Sequence, residues 1–524
     1  MTEEIKQPYD KPDYQSPAYA QMQPAWQICS DVAAGTLHMR SKREKYLPKF
    51  PAEHKDDYED RLKTATFFNA YNRTVGGLVG MACKKGPVLG EDVPAAIRGD
   101  EEAGVEGQVE NIDLAGTHLD VFMKRVLTDA FEGHAFILVD MQQGEAANAE
   151  AEQKMGLRPY WTKYKANQAV NFIPVIINGE LEIGQITFEE QVSERQGRYG
   201  SAPAYQYRTF FLEEYKDSVT GGQKYRARWE LKRKVVDPKS GQVTFADAGE
   251  GVCMRGSKTG GPRVPFERIP VAVVYGQQTG FLTSQPVLLD LALINIKYYQ
   301  KRSDYDASLH KAGFPIPVFI GRNTQSPQQA VGSGFGLDIP MGGEAKYMEP
   351  QGKSLEVART DLQDVRAEMA ALGLSVLSSR PEAAATATET VIDFSQESSQ
   401  LETIVRSGRD ALEACLSFHA AYLGEKSGGT ATWGGHLRSL LLTPQQVQAY
   451  SQMVMESQLS LETLWSIMQN ADALPADFDP VEEMERLFGA GASAKPAVVR
   501  KAQAENGDPP GPTEQEEEDG VPAS

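Results

Sequence analysis

Residues 285–424 limit the folds open to this chain more than any other stretch. They read as a long helix, a Pro/Gly-rich insert, a second helix, an Ala/Thr-rich break and a third helix. The first segment, QPVLLDLALINIKYYQKRSDYDASLHKAG, has no interior Pro or Gly and stops at Gly313 and Pro315. At 1.5 Å per residue such a helix is about 40 Å long. It is nearly all apolar from Val287 to Ile296, so it needs protein on more than one side. It carries no catalytic chemistry. A long helix pair with an insert at one end and a break at the other suits part of a ring or channel better than an active site.

Composition narrows the partners. The 524 residues allow roughly two to four domains at the usual domain size. Hydrophobic residues make up 41%, enough for most of the chain to fold. The net charge of −19 argues against wrapping nucleic acid by general phosphate neutralisation, so any DNA contact is expected to be local or weak. The four cysteines, Cys29, Cys83, Cys253 and Cys415, lie far apart. They show neither metal spacing nor a disulfide framework, which fits a reducing cytoplasm. The N-terminus has no signal-peptide core, and no apolar run is long enough to predict a membrane span.

The first half reads as α+β. Ser16-Pro17 predicts a helix start; that helix is expected to break at Pro24 and restart through Ala25–Leu37. A second helix is expected over about 56–83. Thr117 and Asp120 resemble a capping box before VFMKRVLTDAF. Gly133 closes that helix and AFILVD reads as a buried strand. From Tyr160 to Tyr275 the pattern is of strands: AVNFIPVII, LEIGQITFEE, YQYRTFFLEEY, KYRARWELKRKVV and RIPVAVVYG. Asn178-Gly179 and Asp237-Pro238-Lys239-Ser240-Gly241 mark turns. Beyond the long helix come the strand PIPVFIG, a helix over 354–372, a loop around SSRPEAAATATET and a long helix over 391–424. Thr443-Pro444-Gln445-Gln446 opens a helix to about Asn470, and a last helix covers 480–488. The acidic tail from Gly489 is expected to be disordered.

GVCMRGSKTG, residues 251–260, misses the phosphate loop because Ser257 separates the second Gly from the Lys. It also lies between strands, so a Gly-rich β-loop is the reading. GSGFG at Gly332 lacks dinucleotide spacing. The seven histidines form no metal-binding pair, and no G-x-S-x-G elbow occurs. Neither catalytic residues, metal nor cofactor is therefore expected. Lys297, Lys301 and Arg302 form a basic cluster on the long helix, diluted by Asp304 and Asp306. A solvated face with intrahelical ion pairs competes there with a face open to nucleic acid or a neighbouring subunit.

The order of elements, with phrases such as YQSPAYAQMQPAWQICSDVAAGT, GTHLDVFMKRVLTDAFEGHAFILVD, RPYWTKYKANQAVNF and LLDLALINIKYYQKRSDYDASLHKAGFPIPVFIG, resembles tailed-bacteriophage portal proteins. It most resembles a portal-like phage family of formerly unknown function, over about residues 14–480. The resemblance implies a dodecameric ring at the capsid vertex. That ring would conduct DNA in packaging and ejection and serve as platform for terminase and tail attachment. Its implied parts are a wing (1–284, with 391–440), stem helices (285–312 and 354–372), an inserted clip (313–353), a channel loop (373–390) and a crown (441–488). The implied partners are further copies of the chain, double-stranded DNA held transiently and without sequence preference, the terminase motor, the major capsid protein and a head–tail adaptor, with no membrane. The location is the portal vertex of the virion, after assembly in the host cytoplasm.

The channel-facing candidates are Ser378, Ser379 and Arg380, joined by Lys297, Lys301 and Arg302. Arg380 is the only cation of its loop and Pro381 interrupts any helix through it. Leu288, Leu291 and Ile294 are the subunit-interface candidates. Two other readings compete: a different head–tail connector or minor capsid protein, and a packaging enzyme acting on nucleic acid. The second would need an ATP loop or a carboxylate metal cluster.

Overall fold

Ser16 accepts the amide hydrogen of Tyr19 at 3.3 Å and Pro17 takes the first helical position, so α1 (Pro17–Ala33) starts where a cap and a preset φ both favour it. The expected break at Pro24 does not occur. The helix runs through it, because Tyr19 on one side and Trp26, Cys29 and Val32 on the other are all buried along one axis. That burial outweighs a cost of about 3 kcal/mol for an interior proline. A short α2 (Thr36–Ser41) follows.

The helix expected over 56–83 is two: α3 (Lys55–Thr64) and α4 (Ala70–Ala82). The backbone turns extended at Ala65, Phe67 drops into the core against Tyr299, and the Asn69 side chain accepts the Asn72 amide hydrogen at 2.9 Å to start α4. After α5 (Ala95–Arg98), α6 (Leu119–Phe131) is capped by His118, whose Nδ1 accepts the Asp120 amide hydrogen at 3.2 Å. Thr117 is not the cap.

This computed structural model describes residues 8–100, 102–142, 155–216, 222–257, 263–312, 316–320, 344–348, 353–374, 387–434, 444–456, 458–470, 474 and 478–488. The chain divides into two compact units, Met1–Gly434 and Gly435–Ser524. The first is mixed α/β with antiparallel sheets. A small ladder joins β1 (Val88–Leu89) to a later strand at Ala431–Thr432. β2 (His134–Met141) is the centre of a three-stranded sheet, between β3 (Pro159–Lys165) and a strand at Val271–Tyr275. It is buried from His134 to Asp140, because helices pack on the sheet as well as strands pairing at its edges.

A second sheet is a five-stranded meander, β4 (Ala169–Ile177), β5 (Glu180–Gln196), β6 (Gly200–Lys216), β7 (Gln223–Val236) and β8 (Val243–Val252). The sequence predicts four of these. β8 escapes because VTFADAGEGV is Gly- and Asp-bearing and exposed; pairing to β7, across a bulge at Leu231/Lys232, makes it a strand. β3 escapes because WTKYK mixes polar and aromatic residues without clean alternation. The β-loop expected at 251–260 is borne out for its described part: β8 ends at Val252, and the Gly256 amide donates to Ala421 O at 3.0 Å.

Ion networks are buried in this body. Arg208 of β6 donates to Asp140 at 2.9 Å and to Glu190 at 3.0 Å, bridging the two sheets. Burial works against the Arg208 charge, yet Glu190 and the other neighbours, Asp140 among them, more than offset it and push its pKa up. Asp31, buried on α1, accepts from Tyr46 (2.6 Å), Gln27 (2.8 Å) and Lys45 (2.8 Å), and His38 Nε2 lies at 2.7 Å. Burial alone would raise the Asp31 pKa; the hydrogen bonds from Lys45, Tyr46, His38 and Gln27 hold it below the usual carboxylate range.

After β9 (Val271–Tyr275), β10 (Gln277–Gly280) and β11 (Thr283–Gln285), the chain enters α7 (Leu289–Ala312). The excursion beyond it holds an antiparallel hairpin, β12 (Ile316–Ile320) with β13 (Glu344–Met348). α8 (Lys353–Met369) runs into a π-type turn at Ala370–Leu374, and α9 (Ala387–Tyr422) returns across the body to β14 (Ala431–Thr432). The second unit is helical. The expected helix from 443 to about 470 is split into α10 (Pro444–Met455) and α11 (Leu461–Asn470), because Ser460 Oγ accepts the Thr463 amide hydrogen at 3.1 Å and starts a new helix. α12 (Pro480–Phe488) follows, with Phe478 edge-on to Trp465.

Candidate nucleic-acid and subunit interfaces

α7 begins at Leu289 because Thr283–Gln285 are paired as β11, and it spans about 36 Å at 24 residues. Its inner stripe is Leu291, Ala292, Asn295, Tyr299 and Ser303, all buried and spaced by three or four residues. Asn295 is the polar member. Its Nδ2 donates to Phe68 O at 2.7 Å and its Oδ1 accepts the Tyr71 amide hydrogen at 3.1 Å. Tyr71 N–H, in the first turn of α4, has no partner within its helix, and Phe68 O, which also accepts the Ala70 amide hydrogen at 2.8 Å, takes a second bond here, so α7 closes over the break. Lower down, Gln300 donates to Tyr46 O at 3.0 Å and Asp304 accepts from Arg61 at 3.2 Å.

α8 lies antiparallel on α7. Lys297 faces Glu368 at 3.6 Å and Lys301 faces Asp361 at 2.5 Å, so ascending numbers on one helix meet descending numbers on the other. Arg302 pairs within its own helix with Asp306 at 2.9 Å. All three candidate cations thus have carboxylate partners, and the expected basic face is a set of half-exposed ion pairs. The structure does not present them as free phosphate ligands. Ser378, Ser379 and Arg380 lie outside the described residues. The segment leading to them is described as far as Leu374: Gly373 is buried, and a Cβ placed there would come within 2.9 Å of Thr74 Cγ2 and 3.0 Å of Leu291 Cδ2.

The interface candidates divide. Leu291 is 1% exposed in a single chain, packed with Ala70 and Met369. It belongs to this chain's own core, which corrects its assignment to a subunit contact: the break in α3–α4 lets Ala70 close over it. Leu288 and Ile294 pack at the edge of the same cluster, partly buried. Leu293, not among the candidates, is 44% exposed. Among residues 355–369 of α8 only Leu362, Val365 and Met369 are buried, and the exposed ones include Glu356, Val357, Arg359, Thr360, Asp364 and Arg366. A sequence signal for Asn295 existed, as the one amide in the apolar run; its partners, over two hundred positions away, could not be read.

Burial holds two histidines neutral. Trp161 Nε1 can only donate, and it points at His419 Nδ1 at 3.0 Å, so the His419 proton sits on Nε2 and is given to Gln108 Oε1 at 2.7 Å. Burial lowers the His419 pKa to about 3. His134, with Nδ1 2.7 Å from Ser284 Oγ, is likewise lowered by burial to about 3. No described helix is long and apolar enough to cross a membrane.

Comparison with known proteins adds three findings. The profile of a domain of unknown function, DUF4055, matches residues 287–423, which run from the start of α7 to the end of α9. No curated protein matches the chain. Among solved structures, a chain from the virion of a native gene transfer agent particle is similar at 11% identity and a TM-score of 0.35, covering 83% of this chain and 99% of that one.

Proposed function

We propose that this chain is a phage-type portal subunit: a non-catalytic component of a virion that closes into a ring and conducts DNA. The observation that carries the reading is the antiparallel pair α7–α8, bridged at one end by an excursion containing the β12–β13 hairpin and leaving at the other for α9 through residues 375–386. Nine of the fifteen residues 355–369 of α8 are exposed in the single chain, and their charges are mixed, Glu356, Asp364 and Glu368 beside Arg359 and Arg366. A wall without concentrated positive charge, repeated around an axis, lets a phosphate polymer pass without the deep, salt-dependent trap that a run of free cations would create. In this reading the ring is dodecameric and sits at the capsid vertex. It is contacted by the terminase motor, the major capsid protein and a head–tail adaptor, and Arg380 of the 375–386 connection is its one phosphate contact.

Negative-stain imaging and light scattering of the purified chain test it. A closed ring with a central hole is expected; a monodisperse monomer at all concentrations overturns the reading. Replacing residues 378–384 by Gly/Ser should leave rings intact and reduce DNA packaging or retention. No ATPase or nuclease turnover should copurify with the ring.

A further inference from the structure

The five-stranded sheet has two unpartnered ends. β5 and β6 continue pairing from Gln191↔Tyr205 to Gln196↔Gly200, whereas β7 leaves β6 at Gln206↔Arg233 and β4 leaves β5 at Ala169↔Phe188. The last six pairs are therefore a two-stranded ribbon standing beyond the sheet. Such a ribbon is only marginally stable without cover. At its tip Tyr199 is 90% exposed, with the Arg198 guanidinium 5.2 Å from its ring centre. Arg195 donates only to the carbonyls of Gly197 and Arg198. Neither arginine meets a carboxylate among the described residues.

The other end of β5 is a recess. Leu181 and Ile183 form one wall of a groove of about 150 Å³, with Val271, Val273, Phe281 and Phe418 opposite. Leu181 is 54% exposed, and its cross-strand neighbour Ile176 is 69% exposed. Exposed aliphatic side chains beside an apolar groove mark an interaction surface. On the rim, Arg268 occupies Glu182 at 2.6 Å, while Glu180 is exposed and has no partner among the described residues.

We infer that the ribbon tip of one copy docks into this groove on the next, Tyr199 entering between Leu181 and Phe281 and the tip arginines facing Glu180. The inference rests on the ring reading and supplies its contact. A closed ring needs a heterologous interface, two different surfaces on each copy that fit each other. Here the protrusion and the recess lie at opposite ends of one strand, about 50 Å apart at strand rise. The apolar groove matches the aromatic tip, and the unpaired arginines match the unpaired carboxylate. Tyr and Arg are also the side chains that most often dominate interface energy.

The test uses the full-length chain, with circular dichroism to check folding. Wild type should form rings in light scattering, and Tyr199→Ala with Arg198→Glu should raise the protein concentration needed for assembly at least tenfold. Arg198→Glu alone should raise that concentration several-fold, and adding Glu180→Arg to it should recover most of the Arg198→Glu loss. Independently, Tyr199→Cys with Leu181→Cys, oxidised, should give a ladder of disulfide-linked multimers on a non-reducing gel. Rings of wild-type stability in the tip variant, with no ladder from the cysteine pair, overturn the docking while leaving the ring reading standing. A wild type that never assembles overturns both.

Discussion

The body of the first unit and the helix pair α7–α8 use charge in opposite ways. In the body, Arg208 sits between Asp140 and Glu190, and Asp31 gathers four hydrogen-bonding side chains, with Lys42 at 3.6 Å besides; Arg208 and the three carboxylates are mostly or wholly removed from water. On the helix pair, Lys297–Glu368, Lys301–Asp361 and Arg302–Asp306 are single pairs open to solvent. A buried multidentate charge is expensive to break and so locks geometry. An exposed pair contributes little and lets its helices shift. The difference teaches where rigidity lies: the sheets are bolted together, while α8 is held to α7 by one apolar stripe and by pairs that salt will loosen.

The strongest way to break the comparison is at Arg208. Arg208→Ala leaves Asp140 and Glu190 buried with neutral donors but no counter-charge, and urea denaturation should show a loss of about 3–5 kcal/mol. A loss below about 1 kcal/mol would place this network with the surface pairs.

Asn295 joins the two regions. Asn295→Leu keeps the branching of the side chain and strands the Tyr71 N–H in the core, at about 1–3 kcal/mol, while Phe68 O keeps its bond from the Ala70 amide. Hydrogen exchange should then rise first at residues 65–72. Unchanged exchange there would mean that α7 does not hold the α3–α4 break.

Acid should attack the body before the helix pair. His134 and His419 are held neutral when folded, with pKa values lowered to about 3, but take up protons when unfolded below the ordinary value of 6.5. The unfolded state binds more protons in that window, so stability falls as pH falls. The loss is about 2 kcal/mol per histidine between pH 7 and pH 5. Asp31 adds its share only below the carboxylate value of 3.8, where its depressed pKa ceases to favour the folded state. Thermal unfolding across this range measures the slope, and a flat profile from pH 7 to pH 5 contradicts it.

The smallest effect is expected at Lys301–Asp361. A double-mutant cycle to alanine should give a coupling of about 0.2–1 kcal/mol, falling with added salt. A coupling above about 2 kcal/mol would sharpen the comparison the other way, making α8 as firmly fixed as the sheets.

Elements that depend on neighbours in sequence were legible from the residues. Ser16-Pro17 starts α1, Asn178-Gly179 turns β4 into β5, and the run free of Pro and Gly after Val287 is α7, because caps, turn residues and periodicity act within a few positions. Features set by distant partners were not. Pro24 is spanned because residues on both sides of it are buried, β8 is a strand because β7 is there to pair with it, and the α3–α4 break survives because Asn295 satisfies it. The same rule governs the candidate surfaces: Lys297, Lys301 and Arg302 read as a basic cluster until α8 brings Glu368 and Asp361 across, and Leu291 reads as a contact for another subunit until Ala70 and Met369 close over it. Local chemistry determined which segments would be helix or strand; only the tertiary structure decided which charges are spent and which apolar faces are left, because both depend on what long-range packing places beside them.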